Sequence, residues 1–216
     1  MRCCRRRSAT TTLTRIASPT SRCAFASAGT ATGRSGLKPM PVPGFHCPQA
    51  LAAKGYRLVA EAAEHLPFLR GLFAALRQTE LAFLPFSDEQ KERFVHQQFD
   101  MQRRQYLGQY PTTAFWVVGG PDGWVGRFYL AADDRGDVRI LDISLAPQYR
   151  GQGIGGTLIS ELQSVLAPLG HGVSLHVEKT NPAQRLYQRL GFRITGDTGL
   201  SWRMDWRQAG DSLETA

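Results

Sequence analysis

From Asp142 to Ile159 the chain reads Asp-Ile-Ser-Leu-Ala-Pro-Gln-Tyr-Arg-Gly-Gln-Gly-Ile-Gly-Gly-Thr-Leu-Ile. An apolar strand enters a turn rich in glycine, and the turn opens an apolar-periodic helix. Without a Cβ, the backbone can curl and bring successive N–H groups against a bound group. The first N–H groups of the helix lack intrahelical partners and lie at the positive end of its dipole. The segment is therefore an anion cradle, suited to a pyrophosphate. A Walker A loop is excluded, because Thr157 stands where the lysine is required. A dinucleotide fingerprint fits by spacing through Gly151, Gly153 and Gly156, with Glu178 as the ribose acid. Its context is wrong. It falls late in the chain, after hairpin-like sequence, with too little chain beyond it to complete a parallel sheet. A dinucleotide-binding oxidoreductase stays open as a second alternative.

A third pattern, Gln/Arg-x-x-Gly-x-Gly/Ala, is filled by Gln148, Gly151 and Gly153, and again by Arg150, Gly153 and Gly155. Downstream, Asn181-Pro-Ala-Gln-Arg-Leu-Tyr-Gln-Arg-Leu-Gly-Phe192 follows the strand-like run 171–180. The two motifs, in this order and at this separation, resemble the GNAT superfamily of acyl-CoA-dependent N-acyltransferases, over roughly Tyr56 to Trp206. The resemblance implies an α/β (α+β) fold: a mixed, mostly antiparallel sheet, flanking helices, and a splay between the fourth and fifth strands. It implies acetyl-CoA as cofactor and an amine of a small molecule or peptide as acceptor, attacked directly in a ternary complex. Backbone groups of Gln148, Tyr149, Arg150, Gly151, Gln152, Gly153, Ile154, Gly155 and Gly156 would hold the pyrophosphate. Ile143, Ser144 and Leu145 would pair with the pantetheine arm. A non-catalytic acyl-CoA-binding module on the same fold is the first alternative.

Acyl transfer to an amine needs a held cofactor, a deprotonated amine, a polarised carbonyl and a protonated leaving thiolate. Tyr187 matches the family's general acid, and a phenol keeps its proton at neutral pH. The competing reading, an amphipathic tyrosine packed on a helix, is the weaker of the two. Asp142 and Glu178 flank the expected gap and are the first candidates for general base. His96, Asp100 and His176 follow, and a water chain is an alternative to all of them. Asp142 is equally readable as a strand residue paired with Arg127 or Arg139. Asn181 either bonds the cofactor arm or caps its helix. Arg150 reaches either a phosphate or solvent, the phosphate being favoured by the anion site around it. Gln97, Gln98 and Tyr106, with Phe94 and Met101, read as one helix side where the acceptor would lie. A half-buried amphipathic helix accounts for them equally well.

The elements that position these residues follow from periodicity and punctuation. Tyr56–Ala60 reads as a strand, and Ala62–Arg77 as a helix from Leu66, Leu69, Phe73 and Leu76. Ser87 and Gln90 form a helix-start pair ahead of a long polar helix to about Leu107. Strands are expected over 113–118, 124–130, 138–145 and 173–177. Helices are expected over 153–166 and 182–190, with a closing hairpin over 192–195 and 200–205. Pro182 after Asn181 suits a helix start.

Composition limits the rest. The 216 residues, 42% apolar, suit one domain with a sizeable core. The formal charge of +8 resides in residues 1–40, whose eight basic residues have no acidic neighbours; the other 18 basic residues balance all 18 acidic ones. No nucleic-acid surface is implied. The four cysteines, Cys3, Cys4, Cys23 and Cys47, lie early, so neither a disulfide framework nor a metal site is expected. Residues 1–50 read as an N-terminal extension, disordered or preceding a natural start at Met40. Residues 51–208 are the acyltransferase domain and 209–216 a tail. An Arg- and Ser-rich leader without acids also reads as a transit peptide, making the mitochondrial matrix the alternative to a cytoplasmic location. No apolar run reaches the roughly eighteen residues that a membrane span needs. Oligomeric state is not readable, though a homodimer is compatible with such folds.

Overall fold

The computed structural model describes residues 42–110 and 112–208. The expected termini at 1–41 and 209–216 lie outside the described residues. The strands are β1 (Arg57–Ala60), β2 (Thr112–Gly120), β3 (Gly123–Ala132), β4 (Val138–Leu145), β5 (Val173–Glu178), β6 (Arg193–Asp197) and β7 (Ser201–Trp206). The helices are α1 (Gln49–Ala52), α2 (Leu66–Leu76), α3 (Gln78–Ala82), α4 (Asp88–Gln109), α5 (Ile154–Leu166) and α6 (Gln184–Arg189). The strands form one sheet in the order β1-β2-β3-β4-β5-β7-β6. Every pairing is antiparallel except β4 with β5. A doubly wound parallel sheet, which the dinucleotide reading requires, is not formed by these strands.

The central strands β2 and β3 are apolar in succession because helices cover both faces. On one face, Trp116, Phe128, Leu130, Ile140 and Leu175 meet the stripe Leu158, Ile159, Leu162 and Leu166 of α5. Each such side chain removed from water contributes about 1.5–3 kcal/mol. On the other face, Val117 lies beneath Leu69 and Phe73 of α2 and Val95 and Phe99 of α4. The start of α4 is fixed by a reciprocal cap. The Gln90 N–H donates to Ser87 Oγ at 3.3 Å, and the Ser87 N–H donates to Gln90 Oε1 at 2.8 Å. Among the described residues no helix is long and apolar enough to cross a membrane.

Three sequence expectations are adjusted. Residues 42–50 do not belong to an unstructured extension: Val42 and Phe45 are buried against the α5-side core, with Phe45 5.2 Å from the Trp116 ring. The helix expected over Ala62–Arg77 is divided. A 3-10 turn occupies Ala63–His65, and Pro67 sits in the first turn of α2, where a missing N–H costs nothing. Arg77, with φ −111°, ends α2 and precedes the separate α3. The helix after Asn181 begins at Gln184 rather than Pro182.

Two irregularities position the site. The β4–β5 ladder pairs only Val138 to Ile140 with Val173 to Leu175, although β4 continues to Leu145 and β5 to Glu178. The strands part beyond Ile140, which is the expected splay. At the same place β4 carries one residue more than β3: Leu130 faces Ile140 and Tyr129 faces Asp142, leaving Leu141 extra. This bulge reverses the alternation of side chains. Ile140 and Ile143 both join the α5-side core, while Asp142 between them points to the α4 side.

Candidate active site

The glycine loop joins β4 to α5. Gly151 has φ +73° and Gly153 φ +81°, and a Cβ at either would meet no atom within 4 Å. Glycine is needed there for backbone conformation, not for space. Gly153 caps α5 through its carbonyl, which accepts from the Thr157 N–H at 2.9 Å. The N–H groups of Ile154, Gly155 and Gly156 therefore precede the first intrahelical bond and remain available to an anion. Gly155 and Gly156 approach Ile143 and Leu186 at ordinary contact distance, 3.5 Å from an added Cβ. Arg150 turns back, its Nε donating to the Leu145 carbonyl at 3.0 Å. Tyr149 packs its ring on the core, and Gln152 donates to the Gln148 carbonyl at 2.8 Å.

Tyr187 comes from α6, on the α5 side of the sheet. Its ring is 8% exposed and packs edge-on against Phe192 at 6.0 Å. Its hydroxyl donates to no described residue. Burial, and then the Asp142 carboxylate, push its pKa up to about 12. The phenol thus keeps its proton, and the charge of Asp142 reaches it. Asn181 Oδ1 accepts from the Ala183 N–H at 2.9 Å, an Asx turn, and its amide N–H groups donate to no described residue.

Beneath the splay, on the α4 side, lies a buried polar network. Arg127, 2% exposed, donates through Nη2 to Asp142 Oδ2 at 2.6 Å and to Gln102 Oε1 at 3.1 Å. Phe73, Phe99 and Tyr129 surround its guanidinium at 5.9, 5.8 and 5.0 Å. Burial works against this charge, but Asp142 and then Tyr129 outweigh it and hold the pKa above its ordinary value. Ser144 Oγ donates to the second oxygen of Asp142. Glu61 accepts from Arg103 Nε at 2.6 Å and from the Tyr129 hydroxyl. Tyr106 donates to the Leu141 carbonyl, at the bulge, at 3.3 Å.

The structure thus brings together Asp142, Ser144, Tyr106 and the β4 edge, with Tyr187 within electrostatic reach. Of the two partners the sequence allowed for Asp142, it takes Arg127. Glu178 ends β5, exposed and without an ion pair to a described residue. The remaining base candidates have partners or are weak bases. Asp100 is paired with Arg70 at 3.1 Å. His96 lies 3.9 Å from Glu92 on the helix surface. Burial, and then the charges of Arg139 and Arg203, lower the pKa of His176 to about 4. The inward face of α4 is Val95, Phe99, Gln102 and Tyr106, and of the side read from sequence only Tyr106 belongs to it. Gln97 and Met101 face solvent and Gln98 is half-buried. Gln97 is therefore not brought to the site, because the helix turns it away from the sheet. Sequence reasoning missed Glu61, Gln102 and Tyr129. The signal for the network was Arg127 itself, a charge inside the apolar run Val125–Leu130, which is rarely buried unless paired.

The buried phenols carry a consequence for alkaline stability. Burial is the first cause raising the pKa of Tyr106, Tyr129 and Tyr187. In the unfolded chain these groups ionise near pH 10. Above that pH the unfolded state releases protons that the folded state retains, so stability falls as pH rises from about 10 toward 12. Each phenol contributes a loss of up to roughly 1.4 kcal/mol per pH unit in that window. Urea midpoints measured from pH 8 to 11 should be level and then decline; a level line throughout would contradict the burial of these hydroxyls.

Residues 111–194 match the family model described as an acetyltransferase (GNAT) domain. No curated protein matches the chain. Among solved structures it resembles the PaiA N-acetyltransferase of Thermoplasma acidophilum in complex with coenzyme A. That match has TM-score 0.54 and 17% identity, over 71% of this chain and 99% of that one. An acetyltransferase from Thermus thermophilus gives TM-score 0.52 and 17% identity, over 76% and 99%. Spermidine N-acetyltransferase from Vibrio cholerae, in complex with CoA and spermine, gives 0.50 and 20%, over 71% and 95%. At these identities the likeness is one of fold.

Proposed function

We propose that this chain, which carries a GNAT acetyltransferase domain, transfers an acetyl group from acetyl-CoA to a primary amine by direct attack in a ternary complex. The observation that carries this reading is the junction of two features on β4. The strand edge opens beyond Ile140, and the same strand runs into a loop whose helix-start N–H groups have no partner. An anionic cofactor with a long polar arm fits that junction. The loop from Gln148 to Gly156 takes the pyrophosphate, and the unpaired edge at Ile143, Ser144 and Leu145 takes the arm. When bound, acetyl-CoA supplies an acyl group on a thiolate leaving group.

The chain's own groups then manage two protons. The amine nitrogen forms its bond to the acyl carbon as the carbon–sulfur bond breaks. Tyr187 donates its phenolic proton to the departing sulfur. Glu178, exposed at the end of β5 and without an ion pair to a described residue, receives the amine proton directly or through water. Asp142 does not serve as the base in this reading. Both its oxygens are engaged, and its charge is committed to Arg127. It is a positioning residue that fixes the bulge. Gln98 and Tyr106 lie toward the acceptor side, and the amide of Asn181 toward the cofactor arm.

The test is a melting scan of the full chain with and without acetyl-CoA, followed by thiol release against a panel of amines. Protection together with amine-dependent release supports the transferase. Protection without release on any amine favours a non-catalytic acyl-CoA-binding module, and protection by NADH alone a misassigned loop. A further expectation concerns Gly153→Val. A β-branched residue at φ +81° is strained by roughly 1–2 kcal/mol and re-aims the helix-start N–H groups. Acetyl-CoA should bind at least about tenfold more weakly, a loss of about 1.4 kcal/mol. Unchanged affinity by calorimetry would remove this loop from the cofactor site.

A further inference from the structure

Three arginines on the α2–α4 side of the sheet each have a carboxylate: Arg70 with Asp100, Arg103 with Glu61, Arg127 with Asp142. Arg77 has none among the described residues. It ends α2, half-buried, with its guanidinium carbon 3.6 Å from the centroid of the Phe73 ring. The same ring lies 5.9 Å from the Arg127 guanidinium, and Arg127 is bonded to Asp142 where the strands part. Phe73 thus holds one paired and one unpaired cation, the unpaired one within electrostatic reach of Asp142 and Glu178.

We propose that Arg77 anchors an anionic group of the acceptor, so that the acceptor is a small primary amine that also carries a carboxylate, of the amino-acid class. The inference rests on the transferase reading above. A guanidinium resting on an aromatic ring keeps its planar fork free, and that fork matches a carboxylate in two parallel hydrogen bonds. Burial, with the nearby charge of Arg127, lowers the pKa of Arg77, and the charges of Glu80, Asp142 and Glu178 counter it. An arginine nonetheless stays charged at neutral pH. Asp142 is already committed to Arg127, so it does not neutralise Arg77. Glu178 is left for the amine end. A zwitterion would then lie with its ammonium toward Glu178 and its carboxylate toward Arg77. A polyamine would bring a second cation beside Arg77 and be repelled.

The experiment uses the full chain, acetyl-CoA and a panel of α-amino acids, each paired with its decarboxylated amine, plus spermidine. It is run on the wild type, Arg77→Gln and Arg77→Lys, with protection by acetyl-CoA in a melting scan recorded for each. In the wild type at least one amino acid should exceed its decarboxylated partner by about tenfold or more in kcat/KM. Arg77→Gln should abolish that preference, and Arg77→Lys, which keeps the charge and loses the fork, should retain part of it. Because intrinsic amine basicity is unchanged by the substitution, a preference that survives Arg77→Gln overturns the inference. So does a wild type that acetyl-CoA protects but that prefers the decarboxylated amines or spermidine. Absence of protection by acetyl-CoA in the wild type would remove the transferase reading itself, and this inference with it.

Discussion

Tyr187→Phe is expected to lower kcat by about 10²-fold or more, the usual contribution of a positioned proton donor. The KM for acetyl-CoA should change little, because the phenylalanine ring keeps the contact with Phe192 and the core. Stability should stay within about 1 kcal/mol, since the hydroxyl bonds to no described residue and its loss orphans no partner. The pH profile adds a second check. With the pKa pushed up to about 12, Tyr187 remains protonated across the working range. The kcat should therefore show no fall from this group as pH rises to 10, while rising where the amine loses its proton. Single-turnover kinetics at saturating acetyl-CoA would measure the effect on chemistry. A kcat within about threefold of wild type would mean that the thiolate is protonated by solvent and that Tyr187 only packs.

The largest expected effect on stability comes from Asp142→Ala. Arg127 is enclosed by Phe73, Phe99 and Tyr129, and its ion pair with Asp142 is 2.6 Å long. Removing the carboxylate leaves an uncompensated charge where water cannot follow. The cost is about 3–5 kcal/mol, a large share of the stability of an ordinary domain. The pair itself need not be worth that much. Replacing both partners by apolar residues, as in Arg127→Leu with Asp142→Leu, should recover most of the loss, because the penalty belongs to the orphaned charge. Urea denaturation of the wild type and these two variants at neutral pH would decide it. A loss below about 1 kcal/mol for Asp142→Ala would show that water solvates Arg127 after all. Activity separates positioning from catalysis. If Asp142 acted as the base, Asp142→Asn would abolish turnover while leaving acetyl-CoA binding intact; as a positioning residue, it should weaken both.

Much of the architecture was legible because local chemistry fixes it. The Ser87–Gln90 cap, the apolar stripe of α5, and the alternating strands each depend on neighbours a few residues away. So does the glycine loop, whose positive φ at Gly151 and Gly153 only glycine adopts freely. Failures occurred where distant segments compete. Val42 and Phe45 carry no periodic pattern, yet they are buried because the sheet leaves an apolar surface for them. The division of Ala62–Arg77 was signalled locally by Pro67, and α2 ends at Arg77 as the sequence reading had it; the separate α3 beyond it was not read.

The sequence by itself determined the order of the strands and of the longer helices, the glycine loop between β4 and α5, and the presence of Tyr187 in a motif that follows it. The direction in which those side chains point was decided only by the tertiary structure. The α4 helix faces the sheet through Val95, Phe99, Gln102 and Tyr106, because these pack on β2, β3 and the bulge; its polar sequence offered no strong stripe to reveal this. Strict alternation would turn Asp142 to the same side as Ile140, into the α5 core. The extra residue, Leu141, reverses that alternation and delivers the carboxylate to Arg127. A bulge is a mismatch between two paired strands, and neither strand encodes it alone.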